Sequence, residues 1–303
     1  MAKIGIVSCN KWKEKIDEDI RLKLALQKIG IDVDIIAWEE DRVDGYTLLI
    51  LRSVWGYQND YERFKAWLLS IQQKKIPLLN DPDIIMSNIL KNRQFEILDK
   101  YDIEHVDTRF IMASEFCSKR IKENLSRLLN KTPVVIKPTI SGSGENTFLI
   151  DIPGTDSQLP NTIMCNEIEE KYQNIIQQNK ECGIMLQPYV PEINSGEYSC
   201  VFINGELTHT MLRFPNVFHL KRRPYLVKKP PFSITELARK VEKIPEFSNY
   251  LYMRVDMVLI GKDAKVMEVE LAEPDLLTKY IDDEKIQNHI TKTLARSIKG
   301  RLR

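Results

Sequence analysis

Three acidic residues near the C-terminal end of the chain have the spacing of a metal-binding set. Glu268 and Glu270 alternate with apolar residues in the segment 266–271, so both side chains lie on one face of a predicted strand. Asp256 lies in an earlier apolar segment, 252–260, and a turn at 261–263 would bring the two segments together. Hard oxygen ligands without histidine or cysteine favour Mg²⁺.

The register between these two predicted strands decides whether the carboxylates meet. If residues 260 and 264 pair across the turn, Asp256 lies opposite Glu268. The same register places Arg254 opposite Glu270. Facing carboxylates repel each other unless a cation lies between them. The alternative is a solvated polar face on which Arg254 neutralises the acids.

A glycine- and serine-rich segment in the middle of the chain suits phosphate binding. Two short apolar strands, 134–137 and 148–150, flank it, and Lys137 lies at the end of the first. Such a segment can offer backbone N–H groups to phosphate oxygens, while the lysine supplies a positive charge. The alternative is a hairpin with a long polar turn. Neither Gly-x-x-x-x-Gly-Lys-Ser/Thr nor Gly-x-Gly-x-x-Gly occurs here, which argues against P-loop and dinucleotide-binding folds.

A third segment could bind a nucleoside. An apolar strand, 184–187, runs into an extended stretch of Pro188, Tyr189 and Val190, whose backbone could pair with an adenine edge. An acid beyond this stretch could bind ribose hydroxyls. Tyr189 and Val190 could equally be core residues.

The elements around these residues predict an α/β fold that becomes α+β in its C-terminal part. Strands at 4–7, 33–37 and 48–51 alternate with helices at 16–29 and 61–74, which predicts a parallel sheet over roughly the first 80 residues. Further predicted elements are a helix from 87 to 100, a strand at 106–112, a surface loop at 151–162, strands at 198–203 and 207–213 joined by an Asn204-Gly205 turn, and a C-terminal helix. The predicted domains are 1–84, 85–190 and 191–303.

Composition favours a small-molecule partner. The 303 residues include 44 Lys plus Arg against 43 Asp plus Glu, so no net field would attract nucleic acid or anionic lipid. Five widely spaced cysteines without a Cys-x-x-Cys pair argue against disulfide or zinc frameworks. No signal peptide or membrane span is predicted, so the expected compartment is the cytoplasm. The sequence does not distinguish a monomer from a homodimer.

Taken in order, these segments resemble the ATP-grasp superfamily over essentially the whole chain. The resemblance is to the prokaryotic glutathione-synthetase-like branch, which includes the cyclising ligase of D-cycloserine biosynthesis. The matching segments are Leu51-Arg52-Ser53-Val54-Trp55-Gly56-Tyr57, Asn88-Ile89-Leu90-Lys91, Lys137-Pro138 with its Gly and Ser loop, Gln187-Pro188-Tyr189-Val190 with Gly196-Glu197, and Arg254-Val255-Asp256 with Glu268-Val269-Glu270-Leu271 and Glu273-Pro274. The resemblance implies an ATP-grasp fold preceded by a Rossmann-like domain.

The resemblance also implies roles for individual residues. ATP phosphates would be bound by Lys91 and Lys137, with Arg213 steadying the transferring phosphoryl group or the acyl phosphate. The implied nucleotide contacts are the loop residues Ser141, Gly142, Ser143 and Gly144, the adenine-hinge residues Gln187, Tyr189 and Val190, and Glu192 or Glu197 near the ribose. The implied Mg²⁺ ligands are Asp256, Glu268 and Glu270.

Substrate identity is less defined by the resemblance. The segment Phe214 to Arg223 replaces a Phe-Arg-Val-Gln-like strand and Gly-Gly pair of many relatives, and Glu270 stands where several have Asn. Arg52 and Trp55 follow an apolar strand, where they could contact a substrate carboxylate or pack between domains. His219 is a further candidate for substrate contact, against the alternative of an ordinary surface histidine.

The implied activity is an ATP- and Mg²⁺-dependent carbon–nitrogen ligase that forms ADP. It would activate a small carboxylate as an acyl phosphate for attack by an amine, in another molecule or in the same one. Two alternatives remain: a phosphotransferase on the same scaffold, and a non-catalytic nucleotide-binding module.

Overall fold

The computed structural model describes residues 2–40, 42–128, 133–142, 144–150, 162–214 and 222–302. The predicted loop contact Ser143, the predicted substrate contact His219 and nearly all of the predicted loop at 151–162 lie outside these residues.

The N-terminal part is a four-stranded parallel sheet with helices, as predicted. Its strands are β1 (Lys3–Ser8), β2 (Asp32–Ala37), β3 (Leu48–Leu51) and β4 (Leu78–Leu79), in the order β2-β1-β3-β4. The helices α1 (Asp17–Lys28) and α2 (Tyr61–Gln73) lie where the apolar spacing predicts them. The strand β4 was not predicted, since two residues carry no periodic signal.

The predicted single helix at 87–100 is wrong. The structure has two helices, α3 (Pro82–Ile89) and α4 (Lys91–Lys100), separated by Leu90, whose backbone is extended (φ −81, ψ 98). The Lys91 N–H therefore donates to the Thr139 carbonyl at 3.2 Å instead of continuing α3. This break places Lys91 at the start of α4, beside the Gly and Ser loop.

The second sheet carries the Gly and Ser loop. Its antiparallel strands are β5 (Arg109–Met112), β6 (Val134–Pro138), β7 (Phe148–Ile150) and β8 (Gly183–Pro188), in the order β5-β8-β6-β7. Two helices, α5 (Ser118–Leu128) and α6 (Thr162–Gln178), form a shared apolar core with this sheet. The strand β5 is shorter than predicted because Val106 pairs instead with Val266 of the third sheet.

The third sheet carries the acidic residues. Its strands are β9 (Glu197–Ile203), β10 (Glu206–Arg213), β11 (Tyr225–Leu226), β12 (Tyr252–Ile260) and β13 (Asp263–Glu270), in the order β11-β10-β9-β12-β13. The helix α7 (Phe232–Glu242) packs on this sheet, and α8 (Glu284–Gly300) packs against α1 in a core shared with the first sheet. The predicted turn is confirmed, since Asn204 and Gly205 both have positive φ (49 and 84).

The predicted pairing of the acids is confirmed, although the premise about the turn is wrong. Ile260 pairs with Asp263, one residue away from the predicted partner. An irregularity in the pairing then shifts the register by one residue, so Asp256 lies opposite Glu268 and Arg254 opposite Glu270 after all.

The predicted domain boundaries remain predictions, and the one after residue 84 lies within α3. No helix among the described residues has the length and apolar character needed to cross a bilayer.

Candidate functional site

Two lysines from separate elements converge on one carboxylate. Lys91, at the start of α4, lies 2.9 Å from a Glu268 oxygen, and Lys137, near the end of β6, lies 3.8 Å from the other. Burial alone would raise the pKa of Glu268, but the two lysines outweigh it and lower that pKa to about 2. Glu268 is therefore an ionised carboxylate paired with two lysines. A bound polyanion could also bind these two cations.

The lysines differ in their surroundings. Burial opposes the charge of Lys91, yet Glu268 raises its pKa above the ordinary value. Burial lowers the pKa of Lys137, and the neighbouring Lys91 adds to this effect. Two positive charges this close in a partly desolvated site favour an anionic ligand such as a phosphate chain.

The Gly and Ser loop is held against these lysines. The Nζ of Lys91 donates to the Ser141 carbonyl at 2.8 Å. Gln58 of the first domain donates from its Nε2 to Glu145 at 2.9 Å. Tyr172 of α6 donates to the Asn146 carbonyl at 2.8 Å. Gly142 lies near the Gln58 side chain, and Gly144 has positive φ (74), a conformation that glycine adopts without strain. The structure thus places Ser141 against Lys91, Gly142 near Gln58 and Gly144 in the turn that follows.

The predicted metal ligands separate into two groups. Glu268 and Glu270 lie on the same face of β13 and are partly exposed, at 20% and 24% of their side chains. Burial and the neighbouring acids Glu268 and Glu273 raise the pKa of Glu270 to about 8, although Arg254 opposes this. Glu270 also lies 2.8 Å from Arg254, and the oxygens of the two adjacent carboxylates fit the chemistry of Mg²⁺.

Asp256 is more enclosed than the two glutamates, and its assignment as a Mg²⁺ ligand stays a prediction. It is fully buried and accepts hydrogen bonds from Ser199 (2.7 Å), from Arg254 (2.9 Å and 3.0 Å) and from Arg213. The described residues contain no group of three His, Cys, Asp or Glu side chains arranged to hold a metal. Arg213 and Arg254 neutralise Asp256, and the two lysines neutralise Glu268, the carboxylate that faces it.

Arg213 is anchored but retains an unused donor. One nitrogen lies 2.9 Å from Glu197 and also bonds Asp256. Its Nε is buried and has no hydrogen-bond partner among the described residues. A buried guanidinium N–H without an acceptor is costly, so an anion at this position would be stabilised.

The predicted adenine hinge is partly committed to internal bonds. Gln187 is buried, and its Nε2 donates to Thr108 at 2.9 Å. The Tyr189 N–H donates to the Pro133 carbonyl at 2.7 Å, while Tyr189 and Val190 are half-buried. Glu197 is paired with Arg213, whereas Glu192 makes no ion pair with the described residues.

The contacts of Arg52 favour packing over substrate binding. Arg52 is 3% exposed and donates to Glu18 (3.1 Å), to Asp19 (3.3 Å) and to the Pro274 carbonyl (3.2 Å). With its donors used in this way, it joins the first domain to the segment after β13. Trp55 is half-buried and donates to the Glu273 carbonyl at 3.2 Å, so it lies beside the acidic face.

A cavity of about 340 Å³ lies between the first domain and the Gly and Ser loop. Its lining includes Gln58, Asp60, Glu145 and Asn179, and no lysine or arginine of the described residues contributes to it. A cavity lined by amides and carboxylates favours a ligand with hydrogen-bond donors or positive charge.

His209 of β10 connects the third sheet to the segment after Glu273. Its buried position predicts that the stability of the protein depends on pH. Its ring bonds Thr208 (2.9 Å) and the Leu276 carbonyl (2.7 Å), and burial lowers its pKa from 6.5 to about 4. Below about pH 6.5 the unfolded chain therefore binds a proton at this histidine, whereas the folded chain does not. The free energy of unfolding falls as the pH falls from 6.5 to 4, by about 3 kcal/mol at pH 4.

Urea unfolding of the protein and of His209→Gln at pH 7 and at pH 4.5 measures this contribution. We expect the drop in unfolding free energy to be smaller in the variant, with the exposed His289→Gln variant behaving as the parent. An equal drop in all three proteins would exclude the neutral buried histidine.

Comparisons with known proteins agree with this geometry. Residues 4–80 match the family model of the N-terminal domain of D-cycloserine synthetase DcsG. No curated protein sequence gives a significant match. The crystal structure of D-cycloserine synthetase DcsG superposes with a TM-score of 0.80 over 100% of both chains, at 17% identity.

Two further solved structures are similar over nearly their full length. D-alanine–D-alanine ligase from Bacillus anthracis complexed with ATP has a TM-score of 0.68 and 15% identity, covering 99% of this chain and 98% of that one. The ATP-grasp ligase PsnB, complexed with a phosphomimetic variant of its minimal precursor, Mg and ADP, has a TM-score of 0.62 and 11% identity, covering 98% and 99%. The chain therefore has the ATP-grasp fold, as its sequence predicts, and its residues 4–80 match the D-cycloserine synthetase N-terminal domain.

Proposed function

We propose that the protein is an ATP- and Mg²⁺-dependent ligase that activates a small carboxylate as an acyl phosphate and transfers the acyl group to an amine. The observation that carries this proposal is the convergence of Lys91 and Lys137 on Glu268, with Glu270 on the same face of β13. Positive groups for a phosphate chain and carboxylates for a divalent cation thus lie together.

Binding of ATP would replace Glu268 as the partner of the two lysines. In the structure Glu268 neutralises both lysines. Phosphate oxygens would take over this role, which frees the Glu268 carboxylate. A Mg²⁺ ion held by Glu268 and Glu270 would neutralise charge that develops on the phosphates.

The reaction needs positioning and charge neutralisation more than a protein nucleophile. A substrate carboxylate oxygen bonds to the γ-phosphorus as the bond from that phosphorus to the ADP oxygen breaks. The amine then bonds to the acyl carbon, phosphate leaves, and the nitrogen loses a proton. The unpartnered Nε of Arg213 is suited to hold the negative oxygens of the acyl phosphate.

The remaining assignments extend the resemblance in sequence to the other segments. Adenine would lie against Gln187, Tyr189 and Val190, and Glu192 is the better candidate for the ribose because Glu197 is paired with Arg213. The cavity beside Gln58 is a candidate entry for the amine substrate, since its lining favours hydrogen-bond donors.

Two broader expectations belong to the same proposal. The balanced charge favours small-molecule substrates over nucleic acid. All five cysteines are free, which suits a reducing compartment such as the cytoplasm.

Trapping with hydroxylamine tests the proposed function. The protein is incubated with Mg²⁺, ATP, hydroxylamine and a panel of amino acids and short peptides. We expect a hydroxamate with equimolar ADP and phosphate for at least one carboxylate, because hydroxylamine intercepts an acyl phosphate.

Phosphorus NMR of the same mixtures separates the alternatives. A stable phosphorylated product without free phosphate would favour a phosphotransferase. Nucleotide binding without any ADP formation across the panel would favour a binding module.

A further inference from the structure

The outer edge of β13 is covered by side-chain amides instead of a strand. In its sheet β13 is the last strand, and beyond Val266, which pairs with residues 104–106, the outer side of its backbone has no neighbouring strand. Asn88 lies there and bonds twice: its Nδ2 donates to the Val269 carbonyl at 2.8 Å, and its Oδ1 accepts from the Leu271 N–H at 2.8 Å. Gln94 Oε1 accepts from the Val269 N–H at 3.2 Å.

The amides also bond to each other and to the adjoining chain. Gln94 Nε2 donates to the Asn88 carbonyl, so the two residues form one unit, called here the amide clamp. Asn80 continues the row by donating to the Leu271 carbonyl. Asn88 and Gln94 are only 5% and 2% exposed, so loss of either side-chain amide would leave backbone groups of β13 buried without partners.

The position of the clamp along β13 is the significant feature. Val269 and Leu271 alternate with Glu268 and Glu270, so the clamp holds the backbone on both sides of Glu270. The side chains of Val269 and Leu271 are buried, which leaves the two glutamates directed to the opposite face. The clamp therefore fixes the position of the backbone that carries both carboxylates.

The clamp comes from the same helices that present a phosphate-binding lysine. Asn88 lies near the end of α3, Gln94 lies in the first turns of α4, and Lys91 lies between them. Lys91 reaches Glu268 at 2.9 Å across this junction. One short segment thus sets the lysine and both carboxylates relative to each other.

We infer that Asn88 and Gln94 are positioning residues, which hold Glu268 and Glu270 at the distance from Lys91 that a divalent cation bridged to nucleotide phosphates requires. This inference rests on the proposed function, because it assigns the clamp a role in the Mg²⁺-dependent part of nucleotide binding. Partners that orient metal-binding side chains typically affect metal affinity about tenfold or more.

Calorimetric titration of ADP with and without Mg²⁺ tests the inference. The variants are Gln94→Met, which keeps the length of the side chain, and Asn88→Leu, which removes two bonds. The control is Ile121→Val, a fully buried change in α5 that also lowers stability but lies outside the clamp. Gln94→Met is the informative variant if Asn88→Leu does not fold.

We expect Mg²⁺ to strengthen ADP binding about tenfold less in the clamp variants than in the parent. ADP affinity in the presence of a chelator stays within about twofold, and Ile121→Val retains the full Mg²⁺ effect. The inference is overturned if Gln94→Met retains the full Mg²⁺ effect, or if Ile121→Val loses it equally. If Mg²⁺ does not change the affinity of the parent protein for ADP, the proposed function itself is contradicted. The inference is then overturned as well.

Discussion

The substitution Glu268→Gln is expected to lower the rate of ADP formation with an accepted substrate about 10²–10³-fold. It keeps the size of the side chain and removes the charge that both Lys91 and Lys137 approach. The variant loses the carboxylate best placed to bind a cation next to the phosphates. Steady-state ADP release, measured over a range of Mg²⁺ concentrations, gives the change in kcat and in the requirement for metal.

A second signature accompanies the loss of rate. Glu268→Gln leaves the buried Lys91 and the half-buried Lys137 without their counter-charge, so the variant should unfold at a lower temperature when no nucleotide is added. ATP should restore much of this difference, because phosphate oxygens replace the missing carboxylate. The matched control is Glu104→Gln, whose side chain is 73% exposed. Parent-like turnover in Glu268→Gln would remove this residue from the site.

The substitution Lys137→Ala is expected to lower kcat/KM for ATP by about 10²–10³-fold. The lysine is a half-buried point charge near the end of β6, and a methyl group cannot replace it. Because the loss concerns the phosphate chain, added Mg²⁺ should not restore the rate, in contrast to a defect in metal binding. Initial rates at varied ATP and fixed, saturating Mg²⁺ measure the effect.

Two further variants make the Lys137 result specific. Lys122→Ala, an exposed position on α5 in the same part of the fold, should retain the parent rate. Lys137→Arg should recover little activity, because a planar guanidinium does not replace a compact ammonium group. Parent-like kcat/KM in Lys137→Ala would contradict a phosphate-binding role for this residue.

Much of the fold could be predicted because local patterns agree with the tertiary structure. The strand β3 covers the predicted residues Leu48–Leu51, and β12 covers the predicted Tyr252–Ile260. Apolar alternation and the Asn204-Gly205 turn were sufficient for four strands of the C-terminal sheet, whereas β11 was not predicted. The parallel arrangement of the first sheet followed from strands that alternate with helices.

The errors arise where a distant partner decides the local structure. The break at Leu90 depends on the Thr139 carbonyl, 49 positions away along the chain, which captures the Lys91 N–H. The register shift in β13 has no glycine to signal it. The amide clamp was missed because buried Asn and Gln side chains give no periodic pattern, although Asn88 belongs to a segment that the family resemblance had identified.

The sequence indicated which residues belong to the candidate site, but not which of them pair with each other. The sequence indicates that Lys137 and Glu268 act together, and they lie 3.8 Å apart. Sequence alone could not assign the acids to their partners, since Asp256 is neutralised by arginines and Glu268 by lysines. The same limit applies to Arg52, whose buried partners Glu18 and Asp19 come from α1.

A crystal structure of the protein with a non-hydrolysable ATP analogue and Mn²⁺ in place of Mg²⁺ tests the central claim most directly. The anomalous signal of Mn²⁺ locates the metal independently of the nucleotide. We predict a peak about 2 Å from carboxylate oxygens of Glu268 and Glu270, with Lys91 and Lys137 moved from Glu268 onto the phosphates. A nucleotide bound elsewhere, or a metal remote from both glutamates, would contradict the account.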